Sequence, residues 1–120
     1  DMVALALRAR PVPDRMFLVS DAMPTVGGPD HFDLYGTPLH LADGMLVNAE
    51  GSLAGAHVTQ AEGVARLVNV IGLSPQEALR MAISTPAELM GQPELSQVAG
   101  RPLSDLLRLD DQMQFVEWLA

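Results

Sequence analysis

Apolar positions change their spacing along this chain, and each change marks a change of structure. Asp1 to Arg10 reads as one amphipathic helix that ends before Pro11. Val12 to Arg15 is a connection, with Pro11 and Pro13 as breakers. Met16 to Val19 is a short continuous apolar run, the signature of a strand buried on both faces, and it stops at Ser20-Asp21. A Pro and the Gly27-Gly28 pair then force a loop. Phe32-Asp33-Leu34-Tyr35-Gly36 alternates, Leu39-His40-Leu41-Ala42 does so loosely, and Met45-Leu46-Val47 is a third short run. Gly36, Asp43-Gly44 and Glu50-Gly51 punctuate these runs, so a small antiparallel meander is expected after the strand that carries Asp21.

Beyond residue 58 the spacing turns helical. Thr59-Gln60-Ala61-Glu62 fits a capping box, and Ala61, Val64, Ala65, Val68 and Ile71 follow as one apolar face that Gly72 closes. Ser74-Pro75-Gln76-Glu77 is a second capping box with Pro at the first helical position, ahead of Ala78, Leu79, Ala82 and Ile83. Thr85-Pro86-Ala87-Glu88 repeats the device and predicts a third helix start, with Leu89-Met90-Gly91 as its end. Gln92 to Pro102 is a polar, Gly/Pro-bearing linker. Ser104 to Leu109 and Met113 to Leu119 read as two strands joined at Asp110-Asp111-Gln112, whose paired acids suit a solvated turn.

Composition narrows the class. With 120 residues the chain suffices for one modest core. That core must be aliphatic, because 48% of residues are hydrophobic and only 4% aromatic. Helices packed on a parallel α/β sheet suit such a composition better than an aromatic-rich all-β module. The net charge of −8 argues against nucleic acid and anionic membranes, which demand clustered Lys and Arg. No apolar run approaches the roughly 20 residues of a membrane span. Cysteine is absent, which excludes disulfides, thiolate zinc sites and cysteine nucleophiles, and fits a reducing compartment, with the cytoplasm as the expected location. The first residues open with an acid and place Arg8 and Arg10 after the apolar ones, unlike a signal peptide. They read as a helix already under way, so an upstream segment is expected.

Candidate chemistry starts at Asp21, a carboxylate at the C-terminal end of the expected strand, where parallel α/β folds collect their functional residues. On local pattern alone, an Asp that satisfies backbone donors in the turn is the commoner outcome. Ser52-Leu53-Ala54-Gly55-Ala56 leads into a helix, where free backbone N–H groups can hold an anion or a carbonyl oxygen, and Gly55 admits a ligand close to the backbone. The spacing of His31, His40 and His57 matches no helical zinc motif. His31 is expected to be exposed, His40 to lie in an edge strand, and His57 to cover a helix start. The chain has no Gly-x-x-x-x-Gly-Lys loop, Gly-x-Ser-x-Gly elbow or His-Glu-x-x-His motif.

Three motifs in this order carry a resemblance. They are Val19-Ser20-Asp21-Ala22, the stretch Asn48 to Ala56 containing Glu50-Gly51-Ser52-Leu53-Ala54-Gly55-Ala56, and Leu79 to Gly91. Together they resemble the C-terminal third of the N-acetylglucosamine-6-phosphate deacetylases, a family of the amidohydrolase superfamily. Gly100-Arg101-Pro102 with Asp105-Leu106-Leu107 looks like the family's closing motif, and the resemblance covers essentially the whole chain. It implies an α/β fold: the last strand and helices of a metal-dependent hydrolase (β/α)8 barrel over residues 1–91, with an inserted β-meander. Residues 92–120 would supply a linker and the C-terminal strands of a small β-sandwich. Asp21 would be the catalytic residue, general base toward a metal-bound water and then acid toward the departing amine. Leu53, Ala54 and Gly55 would match the substrate-contacting loop, through backbone contacts at Ala54. The substrate would be an amino-sugar phosphate, the cofactor a divalent metal with zinc the first expectation, and the assembly a homo-oligomer. The family's metal ligands, a Glu and two His, lie on earlier strands and match nothing here, so no metal ligand is assigned. One barrel strand cannot close a barrel, and the apolar surface left open would favour self-association. A non-catalytic oligomeric module and a deacetylase for another amino sugar remain the alternatives.

Overall fold

The computed structural model describes residues 2–12 and 15–120. Asp1 of the expected first helix and Pro13 and Asp14 of the expected connection lie outside the described residues. Backbone contacts gather the chain into two compact units, Ser20–Gln60 and a second that joins the residues up to Val19 with Ala61–Ala120. The chain is a mixed α/β piece with two small antiparallel sheets.

In the first unit, β1 (His31–Leu34), β2 (Thr37–Ala42) and β3 (Met45–Val47) form the expected meander in that order. Leu34 faces Thr37 and Ala42 faces Met45, so each hairpin turns on two residues. Those pairs, Tyr35-Gly36 and Asp43-Gly44, all have positive φ, the backbone of a type I′ turn that matches strand twist. Asp33 steadies the first turn by accepting the Gly36 N–H at 2.6 Å. Leu39, Leu46 and Val47 are buried. His40 is exposed, but β2 is the central strand, not an edge: pairing with both neighbours is forced by the two tight turns that flank it.

The second unit holds the aliphatic core. It begins with α1 (Met2–Ala9), which buries Leu7. The apolar face expected after residue 60 is α2 (Gln60–Asn69), burying Val64, Ala65 and Leu67. Gly72 closes that helix with φ +83, its N–H bonded to the Val68 carbonyl while Leu73 N–H reaches Leu67, so a left-handed glycine lets the last carbonyls of the helix find donors. Ala78, Met81 and Met113 complete the buried cluster, with Met16, Leu18, Val68 and Leu109 packed around it.

Four expectations are corrected in this unit. Met16 to Val19 is an extended segment and not a strand buried on both faces: Phe17 is 39% exposed and Val19 67%. A strand needs a ladder partner, and no strand pairs with this segment among the described residues. The second correction concerns Thr85. Ser74 caps α3 (Pro75–Leu79) as expected, accepting the Glu77 N–H at 3.2 Å. Thr85, however, does not start a new helix. A π-helical turn (Arg80–Ser84) carries the chain straight into α4 (Thr85–Leu89), Ser84 and Thr85 keep right-handed helical backbone, and no side chain caps α4. The wider turn accommodates Pro86, whose ring would otherwise meet the Ala82 carbonyl.

The last two corrections lie in the terminal hairpin. Its strands are shorter than expected, β4 (Leu107–Leu109) and β5 (Phe115–Trp118), antiparallel. Leu103–Asp105 is a 3-10 turn, and Met113 has φ +59, which no ladder position adopts. Between the strands, Asp110 accepts the N–H groups of Gln112 and Gln114, so this acid organises the turn.

Candidate functional site

Asp21, Leu53, Ala54 and Gly55 all fall in the unit formed by residues 20–60. The chain leaves its extended path at Asp21, which has φ +51, a left-handed conformation that Asp tolerates better than most residues. Ser20 Oγ accepts the Ala22 N–H across this bend at 3.3 Å. Ala22 then forms a parallel bridge with Ala56, and Met23 N–H donates to the Ala56 carbonyl at 3.0 Å. Asp21 and Gly55 are therefore each one residue ahead of the bridged pair, on two adjacent extended stretches. Asp21 is exposed, and its carboxylate has no hydrogen bond or ion pair among the described residues. It is thus available to an external partner and is not consumed by donors of its own turn.

The loop opposite is built with equal constraint. Asn48 Oδ1 accepts the N–H groups of Glu50 and Ser52, which folds the chain back so that Leu53 bridges Val47. Leu53 remains 70% exposed. Ala54 donates its N–H to the Leu46 carbonyl at 3.0 Å, so that donor is engaged and only the rest of the 53–55 backbone can meet a ligand. Gly55 has φ +128, and a Cβ there would stand 2.5 Å from Met23 Cγ. Only glycine satisfies both the dihedral and the close approach of Met23.

A contact not expected from the sequence joins the same two stretches. His57 Nδ1 lies 3.0 Å from Thr25 Oγ1, and Thr25 is only 2% exposed. His57 therefore fastens the loop after Asp21 and does not simply cover a helix start. No local signal marks this pair, since its two residues stand 32 apart in the chain. His31 is exposed and bonds Asp30 at 2.8 Å. That hydrogen bond, and then the His31 charge, hold the Asp30 carboxyl below its ordinary value. His31 also faces His40 across β1 and β2.

Among the described residues no three His, Asp or Glu side chains gather closely enough to hold a metal ion. No helix among the described residues is long and apolar enough to cross a membrane.

A mixed α/β chain with an exposed aspartate beside a glycine-containing loop is the framework on which the comparisons bear, and they point to one class: the chain is similar to part of amino-sugar phosphate deacetylases. No family model matches. An N-acetylgalactosamine-6-phosphate deacetylase of Shewanella sp. (strain ANA-3) is 31% identical over 115 residues, covering 89% of this chain and 28% of that protein. The N-acetylgalactosamine-6-phosphate deacetylase of Escherichia coli O157:H7 is 34% identical over 79 residues, 65% of this chain and 21% of that protein. Among solved structures, the N-acetylglucosamine-6-phosphate deacetylase of Pasteurella multocida superposes with a TM-score of 0.80 at 26% identity, over 95% of this chain and 30% of that one. The chain thus spans less than half the length of these relatives.

Proposed function

We propose that this chain is the C-terminal part of a deacetylase that converts N-acetylglucosamine 6-phosphate to glucosamine 6-phosphate and acetate. The observation that carries this reading is the backbone likeness to a deacetylase over 95% of the chain at a TM-score of 0.80. In this reading residues 1–91 close the barrel domain, and residues 92–120 supply a linker and strands of the small β-sandwich. The divalent metal, zinc in the first instance, is held by ligands outside this chain. The protein is cytoplasmic and homo-oligomeric.

Asp21 is the proton-transfer residue. As water adds to the acetyl carbonyl, its carboxylate takes the proton; as the C–N bond breaks, the same proton passes to the sugar nitrogen, releasing acetate and the amine. An exposed, otherwise unengaged carboxylate on a constrained backbone suits this two-way exchange. Leu53 and Gly55 border the sugar, with the Ala54 N–H already committed to Leu46. A second reading keeps the chemistry and changes the sugar: the relatives at 31% and 34% identity are named for N-acetylgalactosamine 6-phosphate.

Acetate release from both sugar phosphates, measured with added zinc on this chain and on the full-length protein, tests the proposal. The expected result is no release from this chain and release from the longer protein, with the preferred epimer deciding between the two sugars. A folded, zinc-supplied full-length protein that releases acetate from neither would refute it. A cooperative melt of that protein that responds to neither zinc nor substrate would favour a non-catalytic module.

A further inference from the structure

The meander of the 20–60 unit sets two histidines side by side. His31 of β1 stands directly opposite His40 of β2. The phase of the ladder decides how near they come. Leu41 N–H donates to the Asp30 carbonyl at 2.8 Å, so residues 30 and 41 make a hydrogen-bonded pair, and His31 and His40 are the non-hydrogen-bonded pair next to it. Side chains approach most closely at such pairs, with Cβ atoms about 4.5–5.5 Å apart, and they share one face of the sheet. Pro38 agrees with this phase. It has no N–H to give and falls opposite Asp33, again a non-hydrogen-bonded position. The two-residue turn at Tyr35-Gly36 locks the register, and a slip by one residue would send the two imidazoles to opposite faces.

Both histidines are exposed, whereas Leu39, the neighbour of His40, is buried. Asp30 adds a second, independent feature. Its Oδ1 lies 2.8 Å from His31 Nδ1. With the Nδ1 proton donated to that carboxylate, Nε2 of His31 keeps its lone pair. Histidines that bind metal are commonly held in this way, because the carboxylate fixes the tautomer and orients the ring.

We propose that His31 and His40 form a two-histidine site on the hairpin for a divalent cation that favours imidazole, such as Zn²⁺, with Asp30 orienting the His31 ring. Among the described residues no third His, Asp or Glu joins the pair closely enough to bind, so water completes the coordination shell. Every group in this site belongs to the meander or the residue before it, and the inference stands independently of the deacetylase reading.

The test is Zn²⁺ binding by the full-length protein in equilibrium dialysis. The unaltered protein is expected to hold one more Zn²⁺ per chain than either His31→Gln or His40→Gln, since zinc bound elsewhere is common to all and cancels. The double variant should lose no more than each single one, because both rings serve one ion. Asp30→Asn should keep the site and weaken it by about tenfold, the low end for the carboxylate partner of a metal-binding histidine. The three side chains are exposed, so these variants should fold, and their melting without zinc checks this. Equal zinc binding by the unaltered protein and His40→Gln would overturn the proposal. So would losses that add in the double variant, which would mean two histidines acting separately. Unchanged affinity in Asp30→Asn would overturn the orienting role of Asp30. Should His40→Gln not fold, His40→Thr, a better strand former, takes its place with the same two readings.

Discussion

Residues 20–60 bury Leu39, Leu46, Val47 and the hydroxyl-bearing Thr25, whereas the helical unit buries Leu7, Val64, Ala65, Leu67, Ala78, Met81, Ala87 and Met113. Backbone strain is distributed the other way. Among the described residues, three of the four non-glycine positions with positive φ, Asp21, Tyr35 and Asp43, belong to the first unit and Met113 belongs to the second. The helical unit is held by apolar packing, the other by turns, caps and bridges between short extended stretches. The candidate site lies in the unit with the tighter backbone constraint and the smaller core. Strained backbone costs of order 1–3 kcal/mol per residue and persists only where the surroundings fix it. The Ala22–Ala56 bridge, the Asn48 turn and the Thr25–His57 contact supply that fixing around Asp21.

This contrast can be broken in several places. The largest expected effect is in the helical core: Leu67→Ala should lower the unfolding free energy by about 2–5 kcal/mol in urea denaturation, as cavity formation does in a packed interior. A loss under about 1 kcal/mol would mean that this unit is not held by packing. Gly55→Ala comes next, at about 1–3 kcal/mol, from a φ of +128 and a Cβ too close to Met23. Adding Met23→Ala should recover the steric part alone, and a full recovery would show that the dihedral is not strained. Ser74→Ala should remove about 1 kcal/mol by uncapping α3, read from the denaturation midpoint at constant m-value.

The smallest effect is electrostatic. The Asp30 carboxyl is held below 3.8 by its hydrogen bond to His31 and then by the His31 charge. Because the folded-state value is depressed, the pair's contribution is complete above the ordinary value and is lost as pH falls through the lowered one. In His31→Gln, the Asp30 carboxyl resonance should titrate closer to 3.8. An unmoved titration would assign the shift to another cause.

The regular parts of this fold were readable because their signals are local. Asp43-Gly44 announces a two-residue hairpin, Ser74-Pro75 a helix start and Gly72 a helix end, each through its own backbone preference. Thr85-Pro86 carries the same local signal as Ser74-Pro75 and misleads, because a π turn upstream lets the helix pass through the proline. Met16–Val19 has a strand's composition, but a strand exists only with a neighbour, and composition does not supply one. At the site, Asp21 and the 53–55 loop were legible as residue types. The left-handed backbone of Asp21, the engaged N–H of Ala54 and the Thr25–His57 pair were not, since each depends on a stretch about 8 to 35 residues away in the chain.

Steady-state acetate release by Asp21→Asn in the full-length protein, alongside substrate binding by calorimetry, decides whether Asp21 transfers the proton. In this variant kcat is expected to fall by about 10²–10⁴-fold, the usual contribution of a positioned acid–base group, while the affinity for the sugar phosphate is retained. Turnover at the rate of the unaltered protein would contradict it and would return Asp21 to the status of an ordinary turn residue.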